Sequence, residues 1–231
     1  MKPVFILRHE PGWSVTAETA RASGLDIRGA PLFEIEAVEW EQPDPAQYDG
    51  LLVGSANVFR HGGQKLEKLT RLPVHAVGQA TADAAGSAGF MVGRTGKGGL
   101  QALLDGFAGR NVRLLRLAGE QRVPLTVPDS VRVDTVVVYR AVPESLRTED
   151  AEALAGGASV LLHSGAAAVR FREECDRLEI DRDRLDLIVI GPRVAELAGE
   201  NWRSVHTAKT PDDRALLALT ESLCHAGRQR G

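Results

Sequence analysis

The stretch VHAVGQATADAAGSAGF, residues 74–90, has an echo in IVIGPRVAELAGENW, residues 188–202. In each, a brief apolar run of β-branched character closes on a glycine, Gly78 or Gly191, and a segment of helical spacing follows. Such a run reads as a buried strand opening onto a turn into a helix. One spacing of 113 residues relates Gly78 to Gly191, Gly86 to Gly199, Val92 to Val205, Leu103 to Leu216 and Leu104 to Leu217. Five matches without a gap indicate a duplicated unit.

The echo continues upstream, where LLVGS (51–55) matches VLLHS (160–164) at a spacing of 109 and aligns Ser55 with Ser164. A third pair, VFILR (4–8) and VRLLR (112–116), is spaced by 108 and places Arg8 and Arg116 at matched strand ends. The first of these opens the chain, whereas its counterpart closes the middle block. Halves of like fold then require one domain built from both chain ends, 1–36 plus 143–231, with the other, 40–138, inserted into it. Linker strands are expected at about 31–39 (PLFEIEAVE) and 133–142 (VDTVVVYRAV), which run apolar or alternate as strands do. Strands alternating with helices imply parallel sheets, so the fold class is α/β with two doubly wound lobes hinged at the linkers. Ligands of such sheets gather beyond the carboxyl ends of the strands.

With 231 residues, two domains near 100 residues each are of ordinary size. A hydrophobic share of 43% suffices for real cores, and a net charge of −3 argues against general affinity for nucleic acid. The start MKPVFILRHEPG meets Arg8 after a few apolar residues, so neither a signal peptide nor a membrane span is expected, and the cytoplasm is the expected location. Cys175 and Cys224 lack neighbours at metal-ligand spacing, and the six histidines show no HExxH pattern. The tail GRQRG (227–231) is expected to fray.

Ser55, Ser164, Thr81 and Thr210 stand at or near helix starts, where free amides and the helix dipole attract anions. The same residues also serve as plain caps. GRTGKGG (93–99) lacks the phosphate-loop spacing and reads as a flexible loop carrying Lys97. The last helix is expected to start near Pro211, and the helix from Thr148 to be capped there. Arg8, Arg116, Arg122, Arg140 and Arg193 can hold carboxylates through two parallel hydrogen bonds. No GxSxG elbow is present for a serine nucleophile. Tyr139, on the returning linker strand, is a candidate proton donor, with strand propensity as the plain explanation for its presence.

Taken in order, LLVGSANVFR (51–60), the stretch at 74–90, RLAGEQR (116–122), VDTVVVYR (133–140), VLLHSGAAAVRF (160–171) and VIGPRVAEL (189–197) resemble the uroporphyrinogen-III synthase family over nearly the whole chain. The resemblance implies two flavodoxin-like lobes joined by a two-stranded linker. It implies a lyase of tetrapyrrole and heme biosynthesis acting on hydroxymethylbilane, a linear tetrapyrrole, with no metal or organic cofactor. Neither nucleic acid nor a membrane is an expected partner, and the expected state is a monomer. By position, Tyr139 matches the residue that helps the hydroxyl leave, while Arg8, Ser55, Gly78, Thr81, Arg116, Ser164, Gly191, Pro192 and Arg193 are the expected substrate contacts. Val194 departs from a frequent Thr, and ILRHEP from a common Thr-Arg-Pro. A non-catalytic two-lobed protein binding an anionic ligand is the alternative, and a nucleotide-dependent enzyme is disfavoured by the missing phosphate motifs.

Overall fold

The computed structural model describes residues 2–228. In chain order the strands and α-helices are β1 (Val4–Ile6), α1 (Gly12–Ala22), β2 (Ile27–Arg28), β3 (Phe33–Ala37), β4 (Gly50–Val53), α2 (Asn57–His61), β5 (Val74–Val77), α3 (Gln79–Ser87), β6 (Val92–Gly96), α4 (Gly99–Asp105), β7 (Val112–Gly119), β8 (Val131–Pro143), α5 (Thr148–Ala155), β9 (Ser159–Leu162), α6 (Gly165–Arg177), β10 (Asp186–Val189), α7 (Pro192–Ala198), β11 (Ser204–Thr207) and α8 (Asp213–Arg228). The protein is mixed α/β and divides into two compact units. An outer unit is drawn from residues up to Glu34 and from Pro143 onward, and an inserted unit spans Ile35–Val142.

The outer unit holds a five-stranded sheet in the order β11-β10-β9-β1-β2, with every neighbouring pair parallel. The second sheet runs β3-β8-β7-β4-β5-β6, parallel from β8 to β6. Matching β9 with β4, β10 with β5 and β11 with β6 places β1 opposite β7 and β2 opposite β8, so the two spatial orders coincide although the chain orders differ. In the outer unit, Phe5, Val160, Leu162, Leu187 and Val189 pack on one face with Phe171 of α6, and Val4, Ile6, Leu161 and Ile188 on the other with Ala17 of α1 and Leu216 of α8. The inserted unit repeats the two-faced pattern, with Leu51, Val53, Val74 and Leu117 on one side and Leu52, Leu103, Leu104 and Leu114 on the other. Burial on both faces is what continuous apolar strand runs signal.

The structure corrects several local expectations. Arg116 is not at a strand end: β7 continues to Gly119 because β8 pairs with it over its full length. Gly93 to Gly96 of the supposed loop lie within edge strand β6, where Gly93 faces the His75 ring and a β-carbon would stand 2.9 Å from its Cε1. The final helix begins at Asp213, beyond Pro211, since Asp212 Oδ1 accepts from the Ala215 amide at 2.9 Å and takes the capping place. The α5 cap position is held by Arg147, which makes no side-chain capping bond, and Thr148 is the first helical residue. Of the tail expected to fray, residues 227 and 228 belong to α8, and residues 229–231 lie outside the described residues. No helix among the described residues is long and apolar enough to cross a membrane.

One buried carboxylate anchors the outer unit. Glu174 on α6 is fully buried, accepts from the Leu146 amide at 2.7 Å, and pairs with Arg170 and Arg177 at 3.0 and 2.7 Å. Removing one member of a buried, satisfied set leaves the others unpaired. Glu174→Ala is therefore expected to lower stability by about 3 kcal/mol, read as a lower urea midpoint at an unchanged slope. A loss within the noise of surface substitutions would refute the anchoring role.

Candidate active site

In the inserted unit, the carboxyl ends of β4, β5 and β7 border a cavity of about 280 Å³. Ser55 and Gly54 after β4, Val77 at the end of β5, Leu100 of α4, Arg116 and Gly119 of β7, Arg122 and Tyr139 all face it. Two of the expected contacts, Ser55 and Arg116, thus share one space with the expected catalytic residue. Ser55 also accepts from the Asn57 amide at 3.2 Å, which fixes its oxygen at the turn into α2.

Arg116 is the most unusual group in this wall. It is 6% exposed, Nη2 donates to the Val123 carbonyl at 2.9 Å, and the buried Nε–H has no partner. No carboxylate pairs with it among the described residues. Burial, reinforced by the charge of Arg122, pushes its pKa below the usual arginine value, with Tyr139 acting the other way. A desolvated guanidinium holding only a neutral carbonyl is a strong receptor for an anion.

Tyr139 owes its place to a break in the ladder. The β7–β8 register shifts between Ala118 and Gly119, so Gly119 faces Tyr139 where strict pairing would bring Val138. Such a bulge re-aims a side chain. The ring then lies on Gly119, where a β-carbon would meet Cε2 and Cζ at 2.6 Å.

The other expected contacts are not in this cavity. Thr81 is buried within α3, and Gly78, with φ +78°, makes the left-handed turn into that helix. In the outer unit, Ser164 accepts from the Ala167 amide at 3.2 Å as the α6 cap. Gly191 is extended, Pro192 opens α7, and Arg193 is exposed. Arg8 is already engaged: its Nη1 donates to Asp213 Oδ1 at 2.7 Å and to Thr16 Oγ1 at 3.0 Å, and Thr16 Oγ1 donates to Asp213 Oδ2 at 2.8 Å. His163 Nε2 stands 2.9 Å from Asp213 Oδ1, but its buried ring nitrogens lack aligned hydrogen bonds. Burial lowers the His163 pKa most, and Asp213 opposes that effect.

Over residues 14–218 the chain matches the family described as uroporphyrinogen-III synthase HemD. The chain belongs to this family. Among solved structures it is similar to uroporphyrinogen-III synthetase from Helicobacter pylori, with a TM-score of 0.67 at 19% identity over 96% of this chain and 100% of that one. It is also similar to a mutant uroporphyrinogen III synthase from Thermus thermophilus, with a TM-score of 0.55 at 16% identity over 96% of this chain and 99% of that one. At such identities the likeness concerns the fold. No curated protein matches by sequence.

For a member of the uroporphyrinogen-III synthase family, the sequence reading missed Asp213 and Thr16 as partners of Arg8, and Gln121 and Val123 as parts of the cavity. Partners 205 positions apart leave no local signal. The signal within reach was Asp213 at the start of a helix beyond a strand end, where a carboxylate is favoured and can meet a neighbouring strand's arginine.

Burial alone would raise the Asp213 carboxyl, but His163, Thr16 and Arg8 outweigh it and hold the pKa at about 2. A carboxyl depressed in the folded state stabilises above its unfolded value of about 3.9, and ceases to do so as pH falls toward the folded value. Asp213→Asn is expected to lower the urea midpoint at neutral pH, with the gap from the parent narrowing below about pH 4. A gap of constant size across that range would refute the ionic role.

Proposed function

We propose that the protein is a uroporphyrinogen-III synthase, a lyase that closes hydroxymethylbilane to uroporphyrinogen III with loss of water and inversion of ring D. The observation that carries this reading is Arg116, a buried guanidinium without a counter-charge among the described residues, beside Tyr139 on one cavity in a chain of this family. The substrate bears eight carboxylates, so an anion receptor next to a proton donor suits its chemistry.

In this reading the Tyr139 phenol donates to the terminal hydroxyl as it leaves, since a positioned acid lowers the barrier to C–O cleavage. The resulting azafulvene carbon is attacked by ring D through its substituted carbon. The spiro intermediate fragments and recloses with ring D turned, and a proton is lost to restore the pyrrole. Because uncatalysed closure gives the uninverted isomer, the protein's main task is to hold one folded shape of the chain. Arg116 and Ser55 would supply fixed points for that hold. The free amides and polar groups at Gly78, Ser164, Gly191, Pro192 and Arg193 remain proposed contacts for further carboxylates, and Thr81 a support for the α3 turn. Arg8, neutralised by Asp213, supports the outer unit in this reading. We further read the two units as flavodoxin-like lobes, because the outer sheet follows the 2-1-3-4-5 order when its own strands are numbered in sequence.

A coupled assay tests the activity: porphobilinogen and its deaminase supply the substrate, and the oxidised products are separated as type I and type III uroporphyrin. Predominantly type III product is expected, and Tyr139→Phe should lower its rate by about 10²-fold with little change in KM. Type I product alone from folded protein would refute the proposal and leave a ligand-binding protein in its place.

A further inference from the structure

The two units differ in side chain at matched places in their sheets. Across β1 and β9, Ile6 stands level with Leu161; across β7 and β4, Arg116 stands level with Leu52. Leu161 and Leu52 are equivalent through the matched LLVGS and VLLHS runs, so the true counterpart of Arg116 is Ile6 and that of Arg8 is Ala118. The sequence echo of the two arginines is thus two residues out of register. The packing agrees: Val4, Ile6, Ile27, Leu161, Leu216 and Leu217 form one apolar cluster, and Leu114, Val133, Leu52, Leu103 and Leu104 repeat it with Arg116 in the place of Ile6.

The cover has changed as well. Between β1 and β2 lies α1, whose Ala17 and Ala20 close the cluster over Ile6. Between β7 and β8 lies an irregular strap, residues 120–130. It is held at Thr126 by Gln101 of α4, whose amide accepts from the Thr126 N–H at 2.9 Å and donates to the Thr126 carbonyl at 2.8 Å. At Val123 the strap offers only its carbonyl to Arg116. The cavity lies beside this exchange of Ile for Arg and of helix for strap.

We propose that the hollow is a receptor for one carboxylate on a short aliphatic arm, with Arg116 as its buried cation and the strap as its retaining wall. The naming of the arm as a side chain of the tetrapyrrole rests on the proposed function. Nε and Nη2 form the edge of the guanidinium that a carboxylate spans with two parallel hydrogen bonds. Here Nε is empty and Nη2 holds the neutral Val123 oxygen, which is half of that arrangement. Arg116 is the one buried positive charge of the hollow, Arg122 being an exposed one at its border, and Leu100, Val77 and Leu117 give an aliphatic arm apolar walls. A phosphate dianion can use the same edge, but its further oxygens and second charge would then be left unpaired between apolar walls, which disfavours it.

The test follows the Nε–H signal of Arg116 in protein labelled with ¹⁵N-arginine, assigned by its absence in Arg116→Met, during titration with butanoate, 1-butanol or inorganic phosphate. Butanoate is expected to shift the signal in a saturable way, and the other two to leave it in place. An equal response to phosphate, or none to butanoate, would overturn the proposal. Arg116→Met, which restores an apolar side chain to an apolar cluster, should raise Tm by about 2–4 °C while abolishing butanoate protection against urea; a fall in Tm would mark Arg116 as structural and overturn the proposal. Type I product from a protein that still answers to butanoate would support the receptor while refuting the synthase reading. Type III product from a protein that ignores butanoate would overturn the receptor alone.

Discussion

Every pairing from β8 to β6, and every pairing in the outer sheet, is parallel. That constraint governs the chemistry available to the chain. Parallel strands must return through connections over the sheet faces, so their carboxyl ends collect along one edge with the turns that follow them. Ser55, Gly78, Ser164 and Gly191 all come just after strands for this reason. The interior of each sheet is meanwhile closed to polar groups on both faces, which makes any exception informative.

The two arginines show what each exception requires. Arg8 lies just past β1 and finds Asp213 and Thr16, so its charge is matched within its own unit. Arg116 lies within β7, under the strap, where no carboxylate among the described residues pairs with it. The first arrangement adds to folding stability, whereas the second leaves a buried charge that costs stability in the free protein.

Much of the architecture was legible in the sequence. Brief apolar runs ending in Gly or Ser marked β4, β5, β9 and β10, and the repeats at spacings of 113 and 109 exposed the duplication, because equivalent strands bury equivalent faces. The third echo misled by two residues. A strand repeats every second residue, so VFILR and VRLLR look alike whether or not they are in register, and only pairing with β9 and β4 fixes the level. Edge strand β6 was legible at Val92, the match of Val205, but its continuation was hidden by glycines, of which Gly93 admits the His75 ring. Tyr139 was found as a residue type in a strand, but its aim depends on a bulge that no local pattern announces. The strap's attachment through Gln101 was equally silent, since a lone glutamine on a helix face reads as solvent-facing.

The contact between Tyr139 and Gly119 imposes an order on the history of this site. With the ring resting where a side chain at 119 would begin, a larger residue there and an aromatic ring in this place exclude one another, so the ring can take this place only where position 119 is glycine. The reverse path is open, because a chain that has lost the ring is free to fill position 119. Departure from the site can therefore proceed one substitution at a time, whereas return after position 119 has been filled needs two. Among descendants of this fold, that asymmetry makes loss of the aromatic group hard to reverse.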